Sequence, residues 1–216
     1  MALDVLPNDA SALDDSDIDE LASMEEAFSA GQLSKAKEDW VLITTARFGN
    51  TLHGFTFSTL ERIGGTPCVL FGLMSVTRSS KRDQVLRGLM HEAYHRALMA
   101  FPDEDVVVGA RFVNADALDA FKELDDRTPA PGERAVGEER AWGRRLAKRF
   151  AIDRDYDANS FVSPTGAADG FVDFEATEPD TGDAELVEMM QAVSAGGAMV
   201  VYGWTMAEDL VKLGKR

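Results

Sequence analysis

Only one cysteine occurs in 216 residues, which excludes an internal disulfide framework. Cys68 stands in the apolar run PCVLFG, the setting of a buried thiol. Histidine is almost as scarce, so any imidazole chemistry must run through His53, His91 or His95. Basic residues are also in short supply: 22 Lys and Arg stand against 38 Asp and Glu, a formal net charge of −16. That charge repels phosphate backbones and anionic lipid, so neither nucleic acid nor a membrane is expected as a partner. Long apolar runs are missing too, and the most apolar late stretch, AGGAMVVYGWTMA, is too short to span a bilayer. The opening MALDVLPNDASALDD has neither a basic start nor an apolar core, so it does not read as a secretory signal. No repeat of fixed period is visible. These absences lead to the expectation of an acidic, cytoplasmic protein whose apolar content suffices for a real core.

What is present divides the chain in three. Residues 1–38 form an acidic, partly disordered N-terminal segment. The first 15 are expected to be disordered, and Ile18, Leu21, Met24 and Phe28 have the spacing of a short helix that either docks or forms only transiently. From Trp40 the pattern changes to strands. WVLITTARF and NTLHGFTFSTLERI are two of them, and the Gly64-Gly65 turn leads to TPCVLFGLMSV, whose nearly continuous apolar run suits a strand buried on both faces. Ser79 or Ser80 is placed to cap a helix over Lys81–Phe101, with Ser80 and Asp83 as a capping pair. Val85, Leu86, Leu89, Met90, Ala93, Ala97 and Phe101 fall on one face of that helix. DVVVGARF is a second buried strand, so strand, helix and strand predict a parallel, right-handed crossover. An Asn114-capped helix, a Pro-rich loop (RTPAPG), a helix over Glu133–Phe150 and short strands at SFVS and GFVDFEA follow. The middle unit, 39–183, therefore reads as one α/β domain with a mixed, mostly antiparallel sheet and flanking helices. Residues 184–216 read as a helix, a strand and a helix packed on the same domain.

Within the long helix, His91-Glu92-Ala93-Tyr94-His95 matches the H-E-x-x-H pattern of zinc hydrolases. Positions i and i+4 share a helix face, so both imidazoles can reach one ion while Glu92 activates its water. Glu123, Glu138 or Glu139 would supply the third ligand. The ordinary reading of the same residues is a solvated helix face, and five letters with two wild cards recur by chance. The basic run GRRLAKR (143–149) has a similar pair of readings. It complements a helix C-terminal dipole, or it holds the nucleotide end of a cofactor or an acidic partner.

The order of elements over Trp40–Asp126 resembles the core of the GNAT acetyltransferases. The carriers are antiparallel strands, a buried strand ending at Val76, a loop into a long helix, a parallel strand and Asn114 opening the next helix. That resemblance implies acetyl-CoA in a gap between VLFGLMSV and DVVVGARF, and acetyl transfer to a small-molecule or peptide amine, or a relative that binds CoA without turnover. Backbone N–H groups at Met74, Ser75 and Val76 would steady the oxyanion. Arg78, Lys81, Arg82 and Gln84 would hold the pyrophosphate with the helix start, and Asn114 would lie against the cofactor. Glu61 and His53 are the base candidates. Phe121 stands where the family often has a tyrosine, and Tyr94 is the substitute acid. The chain departs from the family in its loop, where Lys81-Arg82-Asp83-Gln84-Val85-Leu86 lacks the usual glycines. An interaction protein without catalysis is the third alternative.

Overall fold

The computed structural model describes residues 2–24, 27–165, 184–191, 193 and 196–214. The first strand, β1 (Leu3–Asp9), pairs antiparallel with β2 (Leu42–Phe48) along its whole length, Leu3 opposite Phe48 and Asp9 opposite Leu42. The expectation of disorder over residues 1–15 is therefore corrected for this stretch. An edge strand needs little apolar surface of its own, because its backbone hydrogen bonds are supplied by the neighbour. Only alternate side chains, here Leu3 and Val5, must find cover. Pro7, which has no N–H to donate, is tolerated there because the strand lies at the edge.

The predicted short helix is present and docked. α1 (Asp15–Ser23) begins with a reciprocal cap, Asp14 accepting from the Asp17 N–H while Asp17 accepts from the Asp14 N–H, both at 2.9 Å. α2 (Ala30–Asp39) is capped in the same way by Ser29 and Gln32. Ile18, Leu21, Met24 and Phe28 are all buried.

β3 (Thr51–Ile63) follows β2 as a hairpin, and β4 (Thr66–Val76) follows β3 through Gly64 and Gly65. Both turn glycines have positive φ, 60° and 93°, a conformation that costs other residues a clash with Cβ. α3 (Arg82–Ala100) then crosses to β5 (Val106–Phe112), which is parallel to β4. A 3₁₀ helix (Asp116–Phe121), β6 (Asp126–Thr128), α4 (Gly137–Arg149) and β7 (Val162–Ser163) come next, then α5 (Ala184–Met190), β8 (Ala198–Thr205) and α6 (Ala207–Leu213). The stretch GFVDFEA lies outside the described residues.

The sheet has eight strands in the order β1-β2-β3-β4-β5-β8-β6, with β7 also on β8, and every pair except β4/β5 is antiparallel. The α/β class and the mixed sheet agree with the sequence. Consecutive strand residues point to opposite faces, and this sorts the helices. A Cβ at Gly54 would meet Val85 and Leu89, and one at Gly88 would meet Leu3 and Val5, so α3 covers one face. Phe55, next to Gly54, packs edge-on against Phe28, and the space above Gly109 is filled by Leu146. The segment around α1 and α2 therefore covers the opposite face together with α4. The stripe predicted for α3, from Val85 to Phe101, is buried throughout. No described helix is long and apolar enough to cross a membrane.

Candidate functional site

The parallel pair is the weak seam of the sheet. β4 and β5 are in register only from Cys68 to Leu70 against Val107 to Gly109. On the other side of β4, its partners on β3 step from Thr56↔Met74 to Ser58↔Phe71, so Phe57 faces both Gly72 and Leu73. That extra residue is a bulge, which bends a strand and increases its twist. β4 therefore turns away just where its pairing with β5 stops.

The two faces of this seam are filled differently. On the α3 face, Phe121 packs on Phe71 and Phe112 at centroid distances of 6.1 and 5.0 Å, and all three are fully buried. On the opposite face lies a cavity of about 380 Å³ between α2, the strands and the end of α4. Arg111 of β5 is buried against it and donates to the Phe150 carbonyl at 3.1 Å. Arg149 sits on the rim, stacked over Trp40 at 5.1 Å, with Nε donating to Glu61 at 2.7 Å. Lys35 and Asp39 of α2 complete the charged lining.

The candidate residues from the sequence do not converge. Glu61 is engaged by Arg149 beside the cavity. His53 stands past the end of β4, where its carbonyl accepts from Thr77 and its ring meets Phe48 edge-on at 5.1 Å. Desolvation, followed by the charge of Lys81, holds its pKa below the usual imidazole range. Tyr94 is wholly buried on α3, and its hydroxyl has no partner among the described residues. Burial, reinforced by Glu123, raises its pKa far above a phenol's. These positions fail to form one catalytic group because Glu61, His53 and Tyr94 belong to different regions of the sheet and helix.

The cofactor candidates are also dispersed. Met74, Ser75 and Val76 are buried and paired to β3, and the Ser75 hydroxyl is without a partner among the described residues. Arg78 and Gln84 are exposed at the start of α3. Lys81 reaches back over the Phe48 ring, 3.9 Å from its centroid. Arg82 turns inward and pairs with Asp119 at 2.8 Å and Asp83 at 3.0 Å. The expected Ser80/Asp83 cap is not formed; Lys81 is the N-cap residue, and Ser79 accepts from its N–H at 3.2 Å. The expected Asn114-capped helix is a short 3₁₀ helix whose N-cap residue is Ala115; Asn114 stands one position before it and accepts from the Ala117 N–H at 2.9 Å.

The two helix histidines separate as well. His91 lies 3.1 Å from Glu123, one of the three glutamates named as a third ligand, whereas Glu92 is buried and pairs with Arg96 at 3.4 Å. His95 lies under Gly214 at the end of α6. Among the described residues no group of three His, Cys, Asp or Glu side chains is gathered to hold a metal ion. Glu138 and Glu139 are on α4, across the sheet from α3.

Of the charged cavity lining, Arg149 belongs to the basic run GRRLAKR (143–149), whereas Lys35, Asp39 and Arg111 lie outside any motif. Arg111 carried a signal, since it is the one charged residue in the otherwise apolar strand VVVGARF. No family model matches the chain, and no curated protein is significantly similar to it.

Proposed function

We propose that the protein is a GNAT-like acyl-CoA-binding protein in which acyl transfer to an amine is weak or lost. The observation that carries this reading is the seam itself: a parallel pair that parts after three residues, beside a bulge in β4. The start of the 19-residue helix α3 adds a partial positive charge, with Arg78 and Lys81 exposed around it. Absence of glycine from this loop keeps a pyrophosphate farther from the backbone, so binding should be weak and salt-sensitive.

Turnover is the less supported half. A base must reach the attacking amine with an open lone pair. Glu61 is in an ion pair, His53 lies past the end of β4, and Tyr94 is sealed in the core. Calorimetric titration with acetyl-CoA at low salt tests the reading. Saturable binding that is lost in the doubly substituted Arg78→Glu, Lys81→Glu protein is the expected result. No binding to the parent protein, or equal binding to the variant, would overturn it. Both residues are exposed, so the variant should keep its fold.

A further inference from the structure

The outward face of α4 carries a charge opposite to that of the chain. Trp142, Gly143, Leu146 and Ala147 are its buried side. On the other side Arg140, Arg144 and Lys148 stand four residues apart and form one row along the helix, with Arg145 beside it. Arg144, Arg145 and Lys148 are exposed, and Arg140 is partly buried. No carboxylate among the described residues pairs with any of the four. Arg140 reaches the Asn159 side chain at 3.5 Å, and Arg145 lies over the Trp142 ring at 4.9 Å. We propose that this row is a docking surface for an acidic polypeptide segment of a partner protein.

Two ordinary explanations of such a run fall short. A helix C-terminal dipole draws cations to the last turn, which accounts for Lys148 and Arg149 but not for Arg140, Arg144 or Arg145. Intrahelical ion pairs need a carboxylate three or four residues away. From Glu138 and Glu139 those places hold Ala141, Trp142 and Gly143, and Glu139 is turned back to the Val136 N–H at 2.6 Å. Arg149 is paired with Glu61 and stands outside the set. The row does not serve the start of α3 either, because α4 covers the opposite face of the sheet.

Spacing and charge fit the occupant. Cations four residues apart on a helix repeat every ~6 Å along its axis, and alternate side chains of an extended segment repeat every ~7 Å. Carboxylates at every second position therefore meet the row in register. A nucleic acid duplex carries its charge far past the ~20 Å of a 13-residue helix and would meet the rest of a chain of net charge −16. A short acidic segment ends where the row ends, and beyond about 8 Å the remaining charge is screened at physiological salt. Each exposed pair adds little, so the binding is weak, additive and salt-dependent.

This surface is independent of any acyl-CoA site and is tested without one. The probe is a fluorescein-labelled peptide of about twelve residues alternating glutamate and serine, followed by anisotropy at low salt. It should bind saturably, and more tightly than a single-stranded thymidine oligonucleotide of matched length. Arg144→Glu with Lys148→Glu should weaken it about tenfold or more with unchanged circular dichroism, and the paired glutamine changes should weaken it less. Lys122→Glu with Lys212→Glu alters net charge equally at exposed positions on the α3 face and should leave affinity within about twofold. No saturable binding of the peptide, equal binding to R144E/K148E, equal loss in K122E/K212E, or tighter binding of the oligonucleotide would each overturn the assignment.

Discussion

The guanidinium of Arg82 lies 2.8 Å from the carboxylate of Asp119, tying the start of α3 to the 3₁₀ helix that follows β5. A second carboxylate, Asp83, approaches the same nitrogen at 3.0 Å but is largely exposed. The pair closes the α3 face of the seam over Phe121. It also removes one of three loop cations from the set that could meet a phosphate.

Removing Asp119 should therefore be costly. Arg82 has 6% of its side chain exposed, so it would be left buried without its nearest carboxylate, while Asp83 is largely solvated. Asp119 itself is about a third exposed, which places the loss at about 1–3 kcal/mol rather than the full value for a buried pair. Urea unfolding of Asp119→Ala against the parent, at unchanged slope, measures it. Asp119→Asn, which keeps an acceptor, should lose less.

Residues 3–9 should resist protease and contribute to stability. Leu3 and Val5 fill the space over Gly88 of α3, and seven residue positions pair with β2. Deleting residues 1–9 should cost about 2–4 kcal/mol, the sum of partial side-chain burial and the lost ladder. Chemical denaturation of the truncated chain checks this. First cleavage within residues 3–9 by limited proteolysis would contradict the docked strand.

These two contacts illustrate what could be read from the chain and what could not. The buried stripe of α3, the apolar run of β4 and the Gly64-Gly65 turn follow from local spacing and conformational sterics. Each is decided within a few residues. β1 has no such local signature, because Pro7 with Asp4, Asn8 and Asp9 hides its two inward side chains, while its stability comes from β2, which begins at Leu42. The place of β8 between β5 and β6 has no local signature for the same reason. The site suffered more. Arg149 finds Glu61 across 88 positions, and neither residue's neighbours announce the other. His91 and His95, by contrast, are conspicuous in sequence, yet His91 pairs with Glu123 and the backbone of His95 lies against Gly214 of α6, with no third ligand gathered beside them among the described residues.

Ala151 occupies the left-handed position that usually belongs to glycine, with φ of 58°. The N–H of Ile152 reaches the Ala147 carbonyl at 2.9 Å and that of Ala151 the Lys148 carbonyl at 3.1 Å, the two bonds of a Schellman close to α4. A Cβ there costs about 1–2 kcal/mol, while glycine adds about 0.4–1 kcal/mol of unfolded-state entropy. Ala151→Gly should therefore stabilise the protein by about 0.5–1 kcal/mol, read as a higher denaturation midpoint.

His53 should make the fold sensitive to mild acid. Desolvation beside Phe48 and the nearby charge of Lys81 lower its pKa in the folded state, while the unfolded chain restores a value of about 6.5. Well above pH 6.5 the ring is neutral in both states and the shift contributes nothing. As the pH falls through the unfolded value, the unfolded chain takes up the proton first, so stability falls with it. The loss levels off only below the folded pKa, where both states are protonated. His53→Gln removes the titration and should flatten this part of the profile, leaving the carboxylates to act at lower pH. Urea midpoints measured at intervals from about pH 7.5 to pH 5 compare the two proteins. Parallel profiles would mean that the imidazole is as freely solvated when folded as when unfolded, contrary to its packing against Phe48 under Lys81.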